Sequence, residues 1–172
     1  MQTTVATPGA MTRRRFFDEV VGLMRPELGA GLGDFRHSAN PMLLKVYFGN
    51  ERIHYEVWPD SQRGHVEVGL HFEDGPMSTA AYLAYFDSRI VEIKHTLGAG
   101  TELERWTVSW GHLFEIVPLV PLDRPFAREI AKRLAAQISL LQPMIEEAAI
   151  PAEQRERRTD WRERGYRQRA RK

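Results

Sequence analysis

Two runs of alternating apolar and polar residues, IHYEVW at 53–58 and HVEVGLHF at 65–72, flank the connection PDSQRG. Side chains in a strand point alternately to opposite faces, so this pattern fits a hairpin with one apolar and one polar face. The apolar partners match when Trp58 stands opposite His65, because Val57 then faces Val66, Tyr55 faces Val68 and Ile53 faces Leu70. A slip of one residue mixes apolar with charged positions along the whole ladder, whereas a slip of two keeps both faces and changes only the partners.

In that register the polar face sets Glu56 opposite Glu67, His54 opposite Gly69 and Arg52 opposite His71. Directly opposed Cβ atoms lie about 4.5–5.5 Å apart, close enough for two carboxylates to repel unless a proton or a cation intervenes. Glu56, Glu67 and His54 are therefore a candidate ligand set for a divalent metal, with room left beside Gly69. The plainer reading is a solvated polar face on which the glutamates splay and Arg52 relieves the repulsion. Pro59, Asp60, Glu67, Val68 and Gly69 also trace part of a metal-dependent nuclease pattern. That pattern requires a lysine where Gly69 stands, and Asp60 falls in the expected turn, so it is set aside.

The rest of the chain alternates between the same two periodicities. RRRFFDEVVGLM reads as a short helix stopped near Pro26, followed by the loop GAGLGDF. MLLKVYF at 42–48 adds a third strand to the hairpin. Leu83, Phe86, Ile90, Ile93 and Leu97 then step at helical spacing, with Ser78 or Thr79 as cap and Gly98 as stop. ELERWTVSW and HLFEIVPLV read as a second strand pair around Gly111, with Trp106, Val108 and Trp110 on one face. Trp106, Trp110, Phe114 and Phe126 are expected in the core, and His112 beside Glu115 as a polar pair at a strand end. A last helix is capped by Asp123 and carries Phe126, Ile130, Leu134, Ile138 and Leu141 as its apolar stripe, with Pro143 expected to kink or end it. The order α-βββ-α-ββ-α predicts an α+β fold, with a single antiparallel sheet of about five strands and helices packed on a face.

Composition narrows the chemistry. The 172 residues contain no cysteine, which excludes disulfides, thiol catalysis and cysteine-ligated metals and fits a reducing, cytoplasmic setting. No stretch approaches the roughly 18 apolar residues of a spanning helix, so no membrane partner is expected. MTRRRFFDEV has the order of a twin-arginine export signal, but Asp18 and Glu19 stand where its apolar region should begin. The chain divides into a leader at 1–11 expected to be disordered, one domain at 12–150 and an Arg-rich extension at 151–172.

The net charge of +1 is unevenly distributed. Residues 153–172 hold nine basic and four acidic side chains, which leaves the body with a net charge of −4. Arg157, Arg158, Arg162, Arg164, Arg167, Arg169, Arg171 and Lys172, interleaved with Trp161 and Tyr166, are candidate nucleic-acid contacts. Guanidinium groups suit phosphates and aromatic rings suit bases. A solvated helical extension, supported by pairs such as Glu153 with Arg157, is the alternative.

HYEVW, HVEVGLHFED, VEIKHTLG and ELERWTVSW together resemble an uncharacterised bacterial domain family sometimes attached to nuclease-like proteins. The likeness runs over about residues 14–146 and includes Leu103, Glu104 and Trp106 in its Leu-Glu-x-Trp signal. The resemblance implies an accessory domain and supplies no catalytic residues. The leading expectation is a noncatalytic interaction module whose tail contacts nucleic acid, with no cofactor required and another protein as the alternative partner. A metal-dependent hydrolase using Glu56, Glu67 and His54 is one rival. A homo-oligomer pairing through exposed strand edges is the other.

Overall fold

The computed structural model describes residues 9–32 and 34–153. Most of the expected leader lies outside the described residues. So does the tail from 154 onward, with every candidate nucleic-acid contact named above.

Helix α1 (Arg13–Met24) is capped by the Thr12 hydroxyl, which accepts the Arg15 N–H at 3.3 Å. It buries Phe16, Phe17, Val20, Val21 and Met24, then tightens into a 3-10 turn at Arg25–Glu27, where Pro26 supplies no backbone donor. Four strands follow: β1 (Arg36–Ala39), β2 (Leu44–Tyr47), β3 (Ile53–Asp60) and β4 (His65–Phe72). Helices α2 (Pro76–Ser88) and α3 (Ile90–Leu97) lead to the hairpin β5 (Glu102–Arg105) and β6 (Gly111–Pro118), and α4 (Arg124–Ala148) completes the described fold. The strands form one open antiparallel sheet in the order β1-β2-β3-β4-β6-β5.

The α+β class and single antiparallel sheet are as the alternation requires, with six strands where about five are expected. The extra strand, β1, is exposed at all four positions, so no apolar alternation marks it. Residues Tyr55, Val57, Val68, Leu70 and Leu113 point from the sheet into the core shared with α4, whose Ile130, Leu134 and Ile138 are fully buried. Asp123 caps α4 by accepting the Phe126 N–H at 2.9 Å. That helix runs on past Pro143 to Ala148 and ends with Ala149 at φ 48°.

Several expectations are corrected. The hairpin register is shifted by two residues, so that Trp58 faces Glu67, Glu56 faces Gly69, His54 faces His71 and Asp60 faces His65. Turn chemistry decides this. The Asp60 carboxylate accepts from the Gln62 and Arg63 N–H groups, its carbonyl accepts the Gly64 N–H at 2.9 Å, and Gly64 takes φ 72°. Pro59 does not stop the strand, because β2 reaches only as far as Val57 along β3 and asks for no donor beyond it.

Second, the expected helix across 78–97 breaks at Arg89, which has φ −112° and ψ 6°. Its start is Pro76, after Gly75 at φ 106°, and the cap comes from the far end of the described chain. The Glu153 carboxylate accepts the Ser78 N–H at 2.9 Å, and the Glu153 N–H donates to Asp74 at 2.9 Å. A Cβ at position 75 would lie 2.6 Å from that carboxylate.

Third, Trp106 and Trp110 are not core. β5 stops at Arg105, the N–H groups of Trp106 and Thr107 both donate to the Trp110 carbonyl, and the two indoles are 50% and 45% exposed. Phe126 is buried in the core as expected, while Phe114 is buried on the other face of the sheet, stacked on His112. Fourth, His112 and Glu115 lie on opposite faces of β6: His112 contacts Glu67, while Glu115 accepts from Arg133 and Gln137 of α4.

Gly69 is a point of close approach between β4 and β6. A Cβ there would sit 2.6 Å from Phe114 Cβ and 2.8 Å from the Leu113 carbonyl oxygen. The room expected beside Gly69 is therefore occupied by Phe114. Gly69→Ala should destabilise the fold by about 1–3 kcal/mol through overpacking, read as a lower urea midpoint with unchanged slope. An unchanged midpoint would show that the strands can separate at no cost.

Candidate functional site

The register places one row of side chains across the sheet face away from α4: Arg36, Tyr47, His54, His71, His112 and Glu104, each opposite the next. Three adjacent histidines thus come from β3, β4 and β6. Glu56 lies two residues along β3 from His54, and Glu67 four residues along the antiparallel β4 from His71, so both carboxylates lie on the same side of the row, diagonal to each other. The three histidines and two glutamates are all buried, although they lie outside the apolar core.

Their contacts explain how charge is tolerated out of water. His54 Nδ1 lies 2.8 Å from the Glu51 carbonyl and Nε2 lies 3.0 Å from Glu56 Oε1. Both partners are acceptors, so only a doubly protonated ring satisfies them together. Lys45 reaches the same Glu56 oxygen at 3.3 Å. Glu67 Oε1 accepts from His112 Nδ1 at 3.0 Å and lies 3.2 Å from His71 Nε2. His71 is the hinge between the two halves, with the same Nε2 also 3.6 Å from Glu56 Oε2.

The carboxyl groups respond to this setting. Burial alone would raise the Glu56 pKa, but the hydrogen bond from His54 and the charges of His71, His54 and Lys45 outweigh it and hold the group at about 2, against an ordinary 4.5. Glu67 follows the same balance. Burial pushes it up, while the hydrogen bond from His112, the close approach of His71 and the charges of both rings pull it down, and it also falls to about 2.

Aromatic rings wall the cluster. The His112 ring is sandwiched between Trp106, nearly parallel at 5.1 Å, and Phe114 at 4.1 Å, while His71 and Trp106 meet in a T-shaped contact at 6.0 Å. The half-exposed indole of Trp106 is thus a lid over two histidines, which accounts for its position outside the core.

Of the three ligands expected from the sequence, the structure keeps His54 with Glu56 and separates both from Glu67. The face contains two sets with metal-ligand spacing: His54, Glu56, His71 and Glu73, and Glu67, His71 and His112, each with its ligand atoms within 4.8 Å. Sequence reasoning misses His71 and His112 because the matched-partner register sets His71 opposite Arg52 and because His112 has a nearer acid in the sequence. The available signal is Asp60 five residues before His65, with Gly64 between, which marks a shorter turn. Arg52 lies beside Asp74 at 4.0 Å, and Lys45 supplies the cation at Glu56. Chemically, the cluster can keep protons on its histidines as ion-pair partners of the carboxylates or exchange some of them for a divalent cation.

Compared with protein-family models, curated proteins and solved structures, the chain matches none of them.

Because both carboxyls titrate lower in the folded chain than their ordinary 4.5, the unfolded chain takes up protons first as pH falls. The stability these two carboxylates contribute should be fully present above about pH 4.5 and be lost progressively toward about pH 2, amounting to roughly 3 kcal/mol or less for the coupled pair. Urea unfolding across that interval checks this, and Glu56→Gln should flatten part of the slope. A pH-independent midpoint would contradict it.

Proposed function

We propose that this chain is a noncatalytic interaction module that contacts nucleic acid through phosphate-binding basic groups. The observation that carries the reading is where accessible charge lies. The glutamates and histidines of the sheet are engaged with one another, whereas a cleft of about 390 Å³ between α1 and β1 is lined by Arg13, Arg14 and His37 against the single acid Asp18, with Ser38 and Asn40 beside them. The first turn of α1 contains no acidic residue, so its positive end adds to the field of those arginines. Arg13 is held in place by a 2.6 Å hydrogen bond to Ser61 in the β3–β4 turn.

The Arg-rich tail, including Arg157, Arg158, Trp161, Arg162, Arg164, Tyr166, Arg167, Arg169, Arg171 and Lys172, supplies the second contact. Glu153, the last described residue, is seated at the start of α2. In this reading the protein works in the cytoplasm as an accessory domain, the role implied by its resemblance to domains attached to nuclease-like proteins. The cysteine-free composition supports that compartment. Among the described residues no helix is long and apolar enough to cross a membrane.

Fluorescence anisotropy with a labelled single-stranded oligonucleotide tests the proposal. The full chain should bind at low salt, with affinity falling as salt rises. Arg13→Ala with Arg14→Ala, and a chain ending at Glu153 so that the α2 cap is retained, should each bind more weakly. Each should also have a salt slope smaller by about one for every phosphate it no longer neutralises. Equal binding by all three proteins, or no binding by the full chain, overturns the reading.

A further inference from the structure

We propose that Glu67, His71 and His112 form a site for a divalent transition metal of the zinc class, with Glu67 Oε1, His71 Nε2 and His112 Nδ1 as the ligand atoms. The spacing fits first. A tetrahedral zinc ion with bonds of about 2.0–2.1 Å separates neighbouring ligands by about 3.3 Å. Glu67 Oε1 lies 3.2 Å from His71 Nε2 and 3.0 Å from His112 Nδ1.

An unsatisfied group points into the site. His71 is 1% exposed and its Nε2 makes no well-formed hydrogen bond, although two carboxylates lie near it. A buried ring nitrogen left in that state costs stability, and ligation would satisfy it.

The outer contacts also match. A metal-bound histidine characteristically directs its second nitrogen at a carboxylate, which orients the ring and raises its basicity. His71 Nδ1 faces Glu73 at 3.9 Å and His112 Nε2 faces Glu104 at 3.7 Å. His112 Nε2 is itself buried without a hydrogen bond, a short movement away from Glu104.

Charge chooses between the two overlapping sets. Glu56 already has the Lys45 ammonium at 3.3 Å and His54 hydrogen-bonded at 3.0 Å, so a second cation beside it would meet the lysine's charge. Among the described residues Glu67 pairs with His71 and His112 and with no lysine or arginine. With both histidines neutral, as ligation demands, the Glu67 carboxylate needs a cation. A water would complete a four-coordinate site. Trp106 and Phe114 hold the His112 ring from both sides.

The test uses the full chain, stripped with EDTA and titrated with Zn²⁺ by calorimetry and with Co²⁺ by visible absorption. One equivalent should bind, with the intense d–d bands of a four-coordinate cobalt site. H112Q should lose about 100-fold in affinity and H54Q should bind as the native chain does. E104Q alters a side chain that is 61% exposed, so it should fold normally, and it should bind about tenfold more weakly. No metal uptake, or uptake unchanged in both H112Q and E104Q, overturns the inference. If H112Q fails the circular dichroism check for folding, E104Q decides alone. Oligonucleotide binding is measured separately, so this inference and the proposed function fail independently.

Discussion

The pairing of β3 with β4 is the constraint on which the rest of the structure depends. Its apolar side, Tyr55, Val57, Val68 and Leu70, is buried under α4, and that burial fixes which side chains are left for the other face. Once the apolar parity is set, the glutamates and imidazoles along the middle of the two strands are driven to the same side. The six-strand sheet then extends from this pair, with β2 matching β3 and β6 matching β4 along their shared lengths.

The polar face resolves the resulting crowding by geometry. Had Glu56 and Glu67 stood directly opposite each other, their charges would have met with nothing between them. The shift of two residues puts Gly69 opposite Glu56 and Trp58 opposite Glu67, and it brings His71 between the carboxylates. Each glutamate thereby gains His71 as a neighbour, while the separate β2–β3 pairing supplies Lys45 to Glu56. Burying such groups is costly unless each is paired, and removing one member would leave its partner charged and dry. The cluster is thus a unit, its members linked through His71.

Two long-range contacts show how the remaining elements are tied to that frame. Glu153 caps α2 from a position 75 residues beyond Ser78, which accounts for a helix that begins at Gly75 and Pro76 with no capping side chain of its own. Trp106 folds back from the β5–β6 turn onto His112 and His71, so that a residue with strong apolar character remains half-exposed and still has a structural role. Both contacts join segments whose local sequence contains no sign of the partner.

Local periodicity was sufficient for the fold class, the apolar stripes of α1 and α4, the Asp123 cap of α4 and the two faces of the central hairpin. Those features depend on spacings of 2 and 3.6 residues, which burial of an apolar face reads directly. Edge strand β1 escaped because an exposed strand carries no such signal. The candidate site was half legible: His54, Glu56 and Glu67 were identified from their shared face, whereas His71 and His112 were not. Parity is written in the alternation, but partner choice is not, since a two-residue slip leaves every apolar contact type unchanged. The Asp60–Gly64 turn and the packing of Phe114 against Gly69 made that choice, and with it the tertiary structure decided which three histidines and two glutamates share one buried network.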